Sequence, residues 1–158
     1  MKLDVFPGQS FPLGASVLPW GVNFCVFSKN CDAVDLLLFD SVDDAEPHHI
    51  IPLDPDANRT FYYWHAFVRG VGNGQLYGYR VHGPFVPEKG LRFDGEKVLL
   101  DPYARAVAVG EAYSRDAAKR PGDNCASAMK SVVVNPQLYH WEGDLPLQLP
   151  YASSVIYE

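Results

Sequence analysis

Leu76-Tyr-Gly-Tyr-Arg-Val-His-Gly-Pro-Phe85 decides the fold of this chain. The run Gln75–Val81 has strand length and strand composition, and Gly83-Pro84 stops it with a turn. Arg92-Phe-Asp94 and Lys97-Val-Leu-Leu-Asp-Pro-Tyr-Ala-Arg105 follow closely. Two Tyr, three Arg, a Gly-Pro turn and an Asp-Pro-Tyr corner therefore fall within one short region that reads as strand and turn.

Working outward, the same grammar repeats. Gly21–Phe27, Ala33–Phe39, His49–Leu53 and Phe61–Val68 are short runs of Val, Leu, Phe and Tyr separated by Asp, Asn, Gly or Pro. Thirteen Pro and thirteen Gly leave little room for long helices. The rhythm is that of an all-β protein, an immunoglobulin-like β-sandwich. Val22, Phe24 and Val26 share one face of their strand, with Asn23, Cys25 and Phe27 on the other. The turn Arg69-Gly-Val-Gly-Asn-Gly74 tolerates positive φ and predicts that the strands before and after it pair as a hairpin, making Trp64 a neighbour of Tyr77 or Tyr79.

Beyond Tyr103 the pattern loosens. Ala104–Asn124 supports one short helix around Ser114–Lys119. Ser131-Val-Val-Val134 ends at Asn135-Pro136, and prolines at 136, 146 and 150 make the rest read as extended. The expected organisation is a sandwich over residues 1–105, an extended C-terminal linker arm over 106–150, and an incipient strand over 151–158.

Thirteen Lys and Arg against nineteen Asp and Glu, scattered rather than clustered, argue against nucleic acid as a partner. No apolar run approaches the length of a signal peptide or a membrane span, so a soluble chain with no membrane partner is expected. Three cysteines without CxxC spacing fit a reducing, cytoplasmic setting. Nine Tyr, nine Phe and three Trp exceed what one core needs, which predicts rings at the surface.

Among chemistry-bearing residues, His48, His49, His65, His82 and His140 lack metal-ligand spacing, and Ser153-Ser154 lacks a nucleophile elbow. No catalytic residue, metal or cofactor is expected. Asp94, Glu96 and Asp101 could pair across a cleft as glycosidases require, but they flank Arg92, Lys97 and Arg105 in turns, where capping and ion pairing suit them better. Gly70, Gly72 and Gly74 join strands and open no helix, so they make a turn and not a phosphate loop. The aromatic set Trp64, Tyr77, Tyr79, Phe85 and Phe93, with Asn73, Gln75 and Arg80 as hydrogen-bonders, has the chemistry to stack on sugar rings; the same rings could fill the core or face another domain.

Phe11–Ala15, Gly21–Phe24, Phe27–Asn30, Val34–Asp40, Trp64–Phe67, Tyr77–Pro84 and Leu99–Ala104, in that order, resemble the start of isoamylase-type glycogen debranching enzymes. The resemblance implies a β-sandwich of carbohydrate-binding module family 48 preceding a (β/α)8 catalytic barrel of glycoside hydrolase family 13, whose first strand Ser154–Glu158 resembles. It implies that the catalytic acids lie outside this sequence and that the chain by itself is no enzyme. The parent activity would be hydrolysis of α-1,6 branch linkages in glycogen or limit dextrin. The family's paired-Trp and Lys glycogen platform has no counterpart among these residues. The expected partners are α-glucans (glycogen, limit dextrin, maltooligosaccharides) and the barrel in cis. Trp64, Tyr77, Tyr79 and Arg80 are the expected sugar contacts, and Arg92, Asp101 and Tyr103 are expected to fix the sandwich to its arm. The alternatives are a purely structural domain docked on the barrel without binding glucan, and an independent hydrolase using Asp94 or Glu96. Unpaired strand edges also allow a homodimer.

Overall fold

A computed structural model describes residues 3–157. Among them, strands run in chain order β1 (Val5–Phe6), β2 (Gly14–Leu18), β3 (Gly21–Phe27), β4 (Ala33–Phe39), β5 (His49–Pro52), β6 (Arg59–Thr60), β7 (Tyr63–Arg69), β8 (Leu76–His82), β9 (Phe85–Val86), β10 (Leu91–Arg92), β11 (Ala106–Ala108) and β12 (Lys130–Val132). The five strands expected from composition are β3, β4, β5, β7 and β8, and the short helix is Arg115–Lys119, capped by the Ser114 side chain.

The strands form an antiparallel all-β sandwich. One sheet of the sandwich has the order β1-β7-β3-β2 with β6 on β7, the facing sheet has the order β11-β12-β8-β4-β5, and β9 pairs with β10 in a separate two-stranded sheet. The hairpin expected across Arg69–Gly74 does not form. β7 pairs with β3 and β8 with β4, so the turn crosses from one sheet to the other. The physical reason lies in the side chains: Trp64, Ala66 and Val68 on β7, and Tyr77, Tyr79 and Val81 on β8, all belong to the single core between the sheets. Two strands that both point into one core from opposite sides cannot be neighbours in the same sheet.

The arm expected over 106–150 also needs correction. β12 pairs with β8, β11 pairs with β12, and both complete the second sheet. The chain between them covers that sheet's outer face, where Leu37, Phe39, Val98, Cys125 and Ala128 make a second core. The sandwich boundary therefore lies near residue 134, not 105. Gly78 allows this covering, because a Cβ there would stand 3.1 Å from Leu99 O and Val98 Cγ1. Lys130 is buried here, donates to Cys125 O and Ala128 O, and lies 4.7 Å over the Phe39 ring. Burial pushes its amine below the ordinary lysine value. The expected strand at 151–158 is a 3₁₀ turn at Tyr151–Ser153 followed by exposed irregular chain up to residue 157; Glu158 lies outside the described residues. A strand needs a partner for its backbone groups, and the described residues offer none.

The outer face of the first sheet is covered by residues 7–10. Gln9 N donates to Asn23 Oδ1 at 2.7 Å, Asn23 Nδ2 returns to Gln9 O at 3.0 Å, and Cys25 Sγ reaches Ser10 O at 3.2 Å. His65 Nδ1 donates to Pro7 O at 2.7 Å, which leaves Nε2 to accept from Thr60 Oγ1 at 2.9 Å. Gly8, at φ +76°, lies so flat on the sheet that a Cβ would come within 2.6 Å of Asn23 Oδ1 and 2.7 Å of the Ala66 and Phe67 backbone. Burial, then Asp101, pushes the Cys25 thiol up to about 11, so it is unreactive while covered. Gly8→Ala is expected to cost about 2 kcal/mol or more, from positive-φ strain plus the backbone clash. It should also speed labelling of Cys25 by a thiol reagent; an unchanged labelling rate would mean that the segment is not seated as described.

Candidate functional site

Inward alternation decides the fate of the expected sugar contacts. Trp64, Tyr77 and Tyr79 are only 0–2% exposed, and rings so buried cannot stack on a sugar. Trp64 Nε1 donates to Ser28 O at 3.3 Å, and the Arg59 guanidinium sits 5.1 Å from its ring. Tyr77 OH donates to Asp101 Oδ2 at 2.8 Å. Arg80 Nη2 pairs with Asp123 Oδ1 at 3.2 Å, on the outer side of β8. The aromatic excess is real, but these particular rings form the core.

Asp101 is a buried junction. Its Oδ1 accepts from Tyr103 N at 2.8 Å, its own N–H donates to Ser131 Oγ at 2.9 Å, and the Tyr77 hydroxyl completes the set. Burial raises its carboxyl above the ordinary range against the lowering effect of these two donors. Asp101 thus ties β8, β12 and the 99–104 segment together, and Tyr103 O packs where Gly14 leaves room, 2.8 Å from the site of a Cβ. Arg92 has no ion pair among the described residues and lies elsewhere, on the wall of a cavity. Asp94 accepts from Gly122 N at 2.8 Å and Glu96 N at 3.1 Å. Its carboxyl lies below the usual range, chiefly because of the Gly122 bond, which suits a turn cap and not a general acid. Among the described residues no group of three His, Cys, Asp or Glu is placed to hold a metal.

The cavity, about 440 Å³, opens at the end of the sandwich where β3 stops. Its walls are Val26–Asn30, Tyr79 and Val81 of β8, Gly90–Asp94, Lys97, and Leu99 with Leu100 and Pro102. Of the residues singled out from sequence, Tyr79, Arg92, Phe93 and Asp94 meet here; Trp64, Tyr77 and Arg80 do not. The Tyr79 hydroxyl is buried with no hydrogen-bond partner among the described residues.

Beside the cavity stands an aromatic shelf that sequence reading missed. The β6–β7 hairpin turns on Phe61-Tyr62, with Phe61 at φ +59° and 72% exposed. Phe61 and Tyr62 have ring centroids 3.8 Å apart with their planes tilted by 46°, Phe27 meets Tyr62 and Tyr63 edge-on at 6.1 and 5.5 Å, and Lys29 Nζ lies 5.5 Å from the Tyr62 centroid. A signal was present: three consecutive aromatics at 61–63 cannot all point inward under a period of two.

Together, a two-sheet sandwich, its covered outer faces and one open aromatic end define a β-sandwich module. The chain belongs to the family Carbohydrate-binding module 48 (Isoamylase N-terminal domain), whose sequence model matches residues 12–104, more than half of it. It is 42% identical over 158 residues to isoamylase 1, chloroplastic, of Oryza sativa subsp. japonica, covering 98% of this chain and 19% of that protein. It is 40% identical over 159 residues to the glycogen debranching enzyme of Serratia proteamaculans, covering 98% and 23%. The chain thus spans about a fifth of the length of the curated relatives it matches. Among solved structures, GBS pullulanase SAP in complex with maltotetraose shares the fold, with TM-score 0.59 and 20% identity over 85% of this chain and 16% of that one.

Proposed function

We propose that the chain is the non-catalytic N-terminal module of an α-glucan debranching hydrolase, seated against the catalytic barrel and helping to position branched glucan. The observation that carries this reading is the tail. Trp141, Leu145, Leu147, Leu149, Val155 and Ile156 are 61–95% exposed, an apolar run that no surface of the sandwich covers. Apolar area on this scale marks an interface, and burying it yields roughly 25 cal/mol per Å². Relatives named isoamylase and glycogen debranching enzyme, of which the chain matches about a fifth, support a barrel in cis as what covers it. Hydrolysis of α-1,6 linkages then belongs to the parent. A cytoplasmic location is part of the proposal, supported by three free, buried cysteines.

The test is association in trans. Mixed with the Serratia enzyme trimmed of its matching module, the chain should co-elute one to one and restore reducing-end release from glycogen, while releasing none alone. Self-association through the tail in place of barrel binding, read by sedimentation, would count against the proposal.

A further inference from the structure

We infer that the open end of the sandwich is a binding site for a single α-glucan chain, with the rings of Phe61 and Tyr62 as its stacking surface and the adjoining cavity as the seat of one end of the chain. The sugar class rests on the reading of the chain as a debranching-enzyme module; the location rests on geometry alone.

The shelf is built, and the building runs against local preference. Phe61 occupies a left-handed conformation that favours glycine, at the tip of a two-residue hairpin, and holds its ring out in solvent. Strain held at an exposed position points to a use for the side chain. Tyr62 is fixed against it, with Phe27 at its edge and Lys29 over its face, so the surface is ordered before any ligand arrives. Flat rings of this kind offer the apolar partner that the C–H faces of a pyranose need.

The cavity supplies the polar half. Its volume of about 440 Å³ lies in the range of small-molecule sites. Lys29, Asn30 and Arg92 bring donors, and no side-chain hydrogen bond or ion pair occupies Lys29 or Arg92 among the described residues; Lys97 on the same wall is committed to Ala117 O, and the Asp94 oxygens already accept from Gly122 N and Glu96 N. The Tyr79 hydroxyl, buried at the wall without a partner among the described residues, is a group that a ligand hydroxyl would pair. At the far end of β3, Trp20 is also exposed at positive φ (+72°), but it is not among the residues that line this cavity. It serves as the internal control.

The experiment uses the intact 158-residue chain in affinity gels containing glycogen, with maltoheptaose as competitor, and calorimetric titration with maltoheptaose. The wild type should be retarded and released by the competitor. Phe61→Gly and Tyr62→Ala should each raise Kd about fivefold, as expected for one stacked ring. Phe61→Gly should hold or raise the melting temperature, because glycine relieves the turn, so its loss of binding cannot be unfolding. Tyr79→Phe should weaken binding without lowering the melting temperature, and Trp20→Ala should leave Kd unchanged. A wild type that runs freely in glycogen, ring variants that bind normally, or a loss confined to Trp20→Ala overturns the site; weakened ring variants beside a normal Tyr79→Phe overturn the cavity seat. Barrel association without retardation leaves the module reading standing and removes this site. Retardation through Phe61 without barrel association does the reverse.

Discussion

Trp64→Ala is expected to cost the sandwich about 3–5 kcal/mol, the range for emptying the place of a large buried aromatic. Trp64 is among the largest side chains in the shared core and is held at its rim by the bond from Nε1 to Ser28 O. The alanine variant loses the packing, leaves a cavity in the core that Trp64 shares with Tyr77 and Tyr79, and strands a backbone carbonyl. Trp64→Phe keeps most of the volume and should cost far less. Denaturant midpoints measured on both variants check this; an alanine variant within about 1 kcal/mol of the wild type would contradict the core placement. The pair also separates packing from recognition. Glucan retention should fail in Trp64→Ala only where the protein has unfolded, and should persist in Trp64→Phe.

Asp101→Ala is the second large effect, about 2–4 kcal/mol, because it leaves the Tyr77 hydroxyl and the Tyr103 N–H buried and unpaired. Asp101→Asn should be mild. Its carbonyl can accept from Tyr103 N while its amide donates to the tyrosine oxygen, so both partners stay satisfied. The two variants also differ in pH dependence. The Asp101 carboxyl is raised in the fold, chiefly by burial, so the folded state holds the proton more tightly than the unfolded chain does. Its contribution is then fully present below the ordinary aspartate value and is lost as pH rises through the raised one. Across that window the wild type should lose stability relative to Asp101→Asn, with the difference constant at higher pH. Chemical denaturation of both proteins through the acid range measures it, and a difference that moves the other way would mean that the carboxylate is stabilised, not strained, by its burial.

How much of this was legible follows the physics of alternation. β3, β4 and β8 were readable because each is a seven-residue run of β-formers between turn residues. β11 and β12 were hidden because strands of three residues carry almost no period, and the Ser and Lys of β12 are polar although buried. The pairing of β7 and β8 was misjudged for a different reason. A glycine-rich turn specifies reversal of direction, but whether the chain returns to the same sheet depends on which faces are apolar in both strands. The same face assignment buries Trp64, Tyr77 and Tyr79 and moves the accessible rings to the hairpin tip. Asp101 was singled out from its Asp-Pro-Tyr corner, but its partners Tyr77 and Ser131 lie far away in sequence and could not be read from it.

The crossing at Arg69–Gly74 also sets an order of events in synthesis. Neither strand beside it finds its partner locally: β7 returns to β3, and β8 has one partner in β4, already made, and another in β12, not yet translated. When the ribosome has delivered residue 105, the first sheet can close, but one edge of β8 and the outer face of the second sheet are still bare. The module therefore matures in two instalments, and it is the late arrival of Lys130–Val133, not the glycine-rich turn, that ends its exposure to the cell.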